Sequence, residues 1–193
     1  GGGPPARPLA MGSPAPFRRR PTLRHRLEYA AYRVLVWAAS RAPESTALHL
    51  GEGLGWVGGV ILGVRRRAVR EHLRWAFPHQ DEGWRRRVAR ACFRHLGREA
   101  VATLRLGRMG PEEVRRRTEM EGFEALEAVV RAGKGAIVVT GHFGNWEIGG
   151  ASLAARGIPL VAVAQRQRNP LTDAELVRNR ERLGMVMIER GEA

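Results

Sequence analysis

The sequence predicts an α/β fold: a parallel-sheet core with helices on both faces, preceded by a helical region that associates with a membrane. Three observations predict it. From about residue 111, helix-like stretches alternate with the short apolar runs "AIVVT", "IPLVAVA" and "MVMI". Upstream, Gly51, Gly55, Gly59 and Gly63 recur at every fourth position of an apolar segment. The formal net charge is +14, carried almost wholly by arginine, with Lys134 the only lysine.

Residues 1–21 are rich in Gly, Pro and Ala and lack periodicity, as expected of a disordered basic tail. Arg18, Arg19 and Arg20 then lead into a stretch interrupted by Glu28 and Arg33. A secretory signal needs an unbroken apolar region there, so the pattern argues against secretion. In residues 22–40, Leu27, Ala30, Ala31, Val34, Leu35 and Ala38 fall at helical spacing. Trp37 with Tyr29 or Tyr32 suits a membrane interface, and Pro43 ends the segment.

The glycine-spaced segment follows. Each Gly in a helix costs about 0.5–1 kcal/mol relative to Ala, so four in register call for a reason. One stripe of small residues lets a second helix approach closely. With His49 and Glu52 inside it, the segment is short for a span. It fits a half-inserted or membrane-resting element best, with a Gly-rich helical hairpin in a soluble domain as the alternative. Gly53, Gly55 and Gly58 match the dinucleotide fingerprint formally, but no strand precedes them.

Residues 66–76 and 83–106 read as amphipathic helices separated by Phe77-Pro78. In the second, Val88, Ala91, Cys92, His95, Leu96 and Glu99 share helical spacing, which places the lone Cys92 in a core. One cysteine excludes a disulfide framework, and the scattered histidines lack zinc spacing, so no metal is expected. Each of the triplets Arg65–Arg67, Arg85–Arg87 and Arg115–Arg117 alone is a solvated helix face. Together, beside a Trp-bearing apolar segment, they fit anionic lipid headgroups, at ~1 kcal/mol per residue near the surface. A nucleic-acid partner is not expected, because aromatic residues do not interleave with the arginines. The domain reading is a tail at 1–21, a membrane-associating helical region at 22–110 and an α/β core at 111–193.

In the core, Pro111 suits a first helical turn and Gly133 a stop. The runs at 136–140, 158–164 and 185–188 read as buried strands. The helices between them run from Asn145 to about Gly157 and from Asn169 to Gly184. In parallel sheets ligands bind beyond the carboxyl ends of the strands. His142 stands at one such end, and Gln165, Arg166 and Arg168 at the next.

The stretch "TGHFGNWE" puts Glu147 five residues after His142, in the first turns of a helix. A carboxylate there can accept the Nδ1 proton of the imidazole and leave Nε2 free as a base. A loop histidine capping the helix, with Glu147 as an ordinary first-turn acid, would give the same spacing. The chain has no G-x-S-x-G nucleophile elbow.

"GHFGNWEIGG" closely resembles the H-x4-D/E block of the lysophospholipid acyltransferase superfamily, in the form found in the lipid A biosynthesis lauroyl/myristoyl acyltransferases. "RRRAVREHLRWAFP" and "VAQRQRNPLTDAELVRNRERLGMVMIER" are similar to two further elements of that family. His72 stands where the family usually has Asn, and Gln165 where it usually has Tyr. The resemblance implies a parallel-sheet acyltransferase core. It implies transfer of a fatty acyl group from a thioester, on acyl carrier protein or coenzyme A, to a hydroxyl of a membrane glycolipid. The acceptor expected is a lipid A precursor, with a phosphatidylinositol mannoside or a lysophospholipid as the alternatives. No cofactor beyond the thioester co-substrate is implied. His142 becomes the general base and Glu147 its orienting acid; Arg166, Arg168, Asn145 and Asn169 are the expected substrate-binding residues. The implied location is the cytoplasmic face of the bacterial inner membrane. Members of the family generally run further than this chain, which is therefore expected to be an N-terminal piece.

Overall fold

The structure, a computed structural model, describes residues 20–141 and 143–190. The chain divides into two compact units, Gly1–Val34 with Leu106–Ala193, and Leu35–Arg105. The boundaries fall inside helix α1 (Leu23–Arg41) and at the end of helix α4 (Glu82–Leu106).

The second unit is helical. Helix α2 (Glu44–Trp56) runs into a π-helical turn, Val57–Ile61, and stops where Gly63 takes a left-handed φ of 69°. Helix α3 (Arg66–Ala76) follows, then α4. The glycine stripe of α2 is a packing seam: a β-carbon on Gly51 would lie 2.6 Å from the Gly97 carbonyl oxygen, and one on Gly59 2.0 Å from the Phe93 ring. The small-residue spacing thus lets α2 lie against α4. The buried face of α4 follows from this contact. Ala89 and Phe93 are buried, whereas Cys92 is exposed and Leu96 is 63% exposed. The expectation of a core Cys92 is therefore corrected: the helix turns Phe93, the next residue, and Gly97, one turn further on, towards α2. Leu50, Leu54, Ile61 and Leu62 project outward, each more than half exposed. No single helix among the described residues is long and apolar enough to cross a membrane; α2 with its π turn and α3 pass that test only as a pair bent by 89°.

The first unit holds the sheet. Strands β1 (Val161–Ala164) and β2 (Val186–Glu189) pair in parallel, with Val161 opposite Val186 and Val163 opposite Ile188. Helix α8 (Pro170–Arg182) is the crossover between them. Helices α5 (Pro111–Arg117), α6 (Phe123–Arg131) and α7 (Trp146–Ala155) precede the sheet in sequence. Leu106, Val114, Ala151, Leu183, Met185 and Met187 form the core, with Ile148, Leu160 and Val177 packed on it. Arg156, just past α7, ties that helix to the end of α5 by donating to Thr118 Oγ1 at 2.9 Å and Ser152 Oγ at 2.5 Å.

Two strand expectations change. Residues 136–140 form no strand among the described residues; Ile137 and Val139 are 92% and 88% exposed. An apolar β-branched run shows an appetite for burial, but a strand exists only where a neighbouring backbone satisfies its N–H and C=O groups. The expected burial of β1 on both faces also fails: Val161 and Val163 face outward, while Ala162 and Ala164 pack on the core.

Candidate active site

The site region is built on the first turn of α7, on α8 and on the loop after β1. Gly144 adopts φ 60°, a left-handed turn that a side chain would strain. Asn145 then caps α7, its side-chain oxygen accepting the Ile148 N–H at 3.1 Å. Glu147 follows in the first turn, where the exposed amide dipoles favour a carboxylate. His142 lies outside the described residues.

Glu147 is held by a residue that motif reading passed over. Arg180, near the end of α8, donates from Nε to Oε2 of Glu147 at 3.0 Å and from Nη2 to Oε1. Both side chains are largely enclosed, at 17% exposed for Glu147 and 18% for Arg180. The hydrogen bond to Glu147, with the charges of Glu147 and Asp173, holds the Arg180 guanidinium above its usual range, so it is permanently charged. The sequence signal for Arg180 is only positional and becomes readable once the inward face of α8 is known. Asp173, Val177 and Arg180 lie at i, i+4 and i+7, and buried Asp173 and core-packed Val177 mark that face as inward.

The remaining expected residues lie nearby in sequence and do different work. Buried Asp173 accepts the Gln167 N–H at 2.8 Å and stands 3.9 Å from the Arg166 guanidinium. Arg168 is exposed. Asn169 caps α8, accepting the Leu171 N–H at 3.1 Å, while its amide donates to the His25 carbonyl at 2.8 Å and to Glu28 at 3.1 Å. Those last two bonds, with Tyr29 donating to Glu175 and Arg33 pairing with it at 3.2 Å, seat the start of α1 on α8. Asn145 and Asn169 thus set the two helices that carry Glu147 and Arg180.

The helical unit carries a separate concave surface of about 400 Å³, lined by Arg87, Arg90, Arg94, Arg98, His95 and Glu52. Glu52 accepts from Arg94 at 3.0 Å and from Arg98 at 2.9 Å, which holds its carboxyl below the usual range. One carboxylate against four guanidiniums leaves a strongly positive groove.

An α/β unit thus presents a glutamate in the first turn of α7, held by an arginine of α8. Residues 18–193 match the family described as bacterial lipid A biosynthesis acyltransferase, and the chain belongs to that family. It is 30% identical over 118 residues to lipid A biosynthesis acyltransferase 2 of Shigella flexneri, covering 61% of this chain and 37% of that protein. It is 26% identical over 156 residues to the lipid A biosynthesis palmitoleoyltransferase of Escherichia coli K12, covering 81% of this chain and 51% of that one. The lauroyltransferase of the same organism matches at the same identity and coverage. The chain thus spans about half, or less, of the length of these curated relatives. No solved structure is significantly similar to it.

Proposed function

We propose that this protein transfers a fatty acyl chain from an acyl thioester, on acyl carrier protein or coenzyme A, to a hydroxyl group of a lipid A precursor. The observation that carries the reading is the fixed carboxylate of Glu147, five residues after His142 in a member of this family. Neutral His142 takes the proton of the acceptor hydroxyl as its oxygen attacks the thioester carbonyl. Glu147 orients the imidazole and stabilises the imidazolium that forms. The new C–O bond closes as the C–S bond breaks, and the thiolate leaves with the electron pair and recovers the proton. General-base assistance of this kind contributes about 10²–10⁴ in rate. Arg166 and Arg168, on the loop after β1, steady the developing oxyanion or grip a phosphate of either substrate.

The acceptor resides in a bilayer, and the helical unit is the element suited to meet it. Its outward Leu50, Leu54, Ile61 and Leu62 offer apolar contact, and the arginine groove offers contact to anionic headgroups. This reading puts the protein on the cytoplasmic face of the inner membrane. The test is transfer of labelled acyl chains to a panel of lipid acceptors by the full-length protein in detergent. Label on the lipid A precursor supports the proposal. Label on a phosphatidylinositol mannoside or lysophospholipid instead keeps the chemistry and replaces the acceptor.

A further inference from the structure

Glu147 and Arg180 stand 33 residues apart, on helices that flank β1 in sequence. Each carboxylate oxygen accepts one guanidinium N–H, so the fork sets both the position and the plane of the carboxylate. Each oxygen keeps a second lone pair for another donor, such as an imidazole N–H. The holder is itself anchored. Asn169 caps α8 at its start, Val177 packs on the core and Leu183 is buried just past its end. The carboxylate is thus gripped from the core side by a rigid helix, independently of the glycine-rich loop that precedes α7.

We infer that Arg180 is a positioning residue for Glu147, aiming its carboxylate for its work on the imidazole of His142. This rests on the reading of Glu147 as the orienting acid. An ion pair that merely joins α7 to α8 would show the same geometry, so the test must separate orientation from stability. The charged groups acting on Arg180 are Glu147 from α7 and Asp173 from its own helix. Removing the Arg180 cation leaves the Glu147 charge uncompensated, which favours the imidazolium and leaves less of the neutral base at a given acidic pH.

The experiment measures kcat, KM for the thioester and the pH dependence of kcat for the full-length protein in detergent. The variants are Arg180→Gln, Arg180→Lys and Glu147→Gln, with thermal melting of each. Arg180→Gln is expected to lower kcat about ten- to a hundredfold, as a misplaced orienting group does. Its KM should stay within about twofold of wild type, and the acidic limb of its profile should move up by about half a pH unit or more. Arg180→Lys should return the limb to near its wild-type position and recover part of the rate. Loss of activity that only tracks loss of folded protein, with an unmoved pH profile in both Arg180 variants, overturns the inference. So does an inactive Glu147→Gln beside an Arg180→Gln of wild-type rate and profile, a result that leaves the acid role of Glu147 standing. A fully active Glu147→Gln removes that role, and the inference with it.

Discussion

A β-carbon on Gly55 of α2 would lie 2.1 Å from the carbonyl oxygen of Phe93 on α4. Two helix backbones meet there with nothing between them, and the four-residue glycine spacing exists to permit it. Gly53, two residues away, has nothing within 4 Å of such a β-carbon. Gly55→Ala should therefore destabilise the protein by about 1–3 kcal/mol, the usual cost of overpacking. Gly53→Ala should stabilise it by up to about 1 kcal/mol, through helix propensity. Urea unfolding of both variants checks the pair of signs, and two stabilising substitutions would contradict the seam.

Asn169 serves α8 and α1 at once. Asn169→Ala removes a cap worth about 1 kcal/mol and leaves the His25 carbonyl without its donor. Asn169→Asp keeps the cap acceptor but sets a carboxylate beside Glu28. Both should lower the melting temperature, Asp no less than Ala at neutral pH. At a pH low enough to protonate the new carboxylate, Asp should regain ground on Ala, and a melting series over pH would show it.

Glu52 gives the helical unit an acid-sensitive contact. Its carboxyl lies below the usual 4.5 because Arg94 and then Arg98 hydrogen-bond it. A depressed folded-state pKa contributes stability that is present above 4.5 and lost as pH falls through the folded value. Glu52→Gln should therefore be less stable than wild type at about pH 6, with a narrower gap at about pH 3. Denaturant midpoints at the two pH values test this; a gap that stays constant would contradict the arginine pairing.

The sequence reveals much of this fold because its punctuation is chemical. Pro43, Pro111, Gly133 and Gly184 mark ends that the structure respects, and Asn145 and Asn169 stand where helices begin. Periodicity reads less well where it has to choose a face. On α4 two apolar arcs satisfy helical spacing, and only the glycine seam of α2 decides that Phe93 rather than Cys92 turns inward. The run at 136–140 has the composition of a strand, but pairing depends on a partner that composition does not name. Arg180 escaped because one arginine among many carries no signature. Its face becomes legible only once Asp173 and Val177 are known to point inward.

The membrane-docking reading is testable without disturbing the fold. Leu50 and Leu54 are 62% and 66% exposed and do not belong to the glycine seam. Burying a leucine is worth about 1.5–3 kcal/mol, so Leu50→Glu with Leu54→Glu should weaken partition onto anionic vesicles by about tenfold or more. Melting should change little. Unchanged co-sedimentation with such vesicles would remove α2 from the docking surface.

His142 and Glu147 are the residues proposed to carry out acyl transfer. The most direct measurement compares wild type, His142→Ala and Glu147→Gln in single-turnover transfer of a labelled acyl chain from acyl carrier protein to a lipid A precursor. Wild type should transfer the label, with losses of about 10²–10⁴ in His142→Ala and a substantial loss in Glu147→Gln, all three remaining folded. A folded His142→Ala that keeps more than about a tenth of the wild-type rate would contradict that assignment.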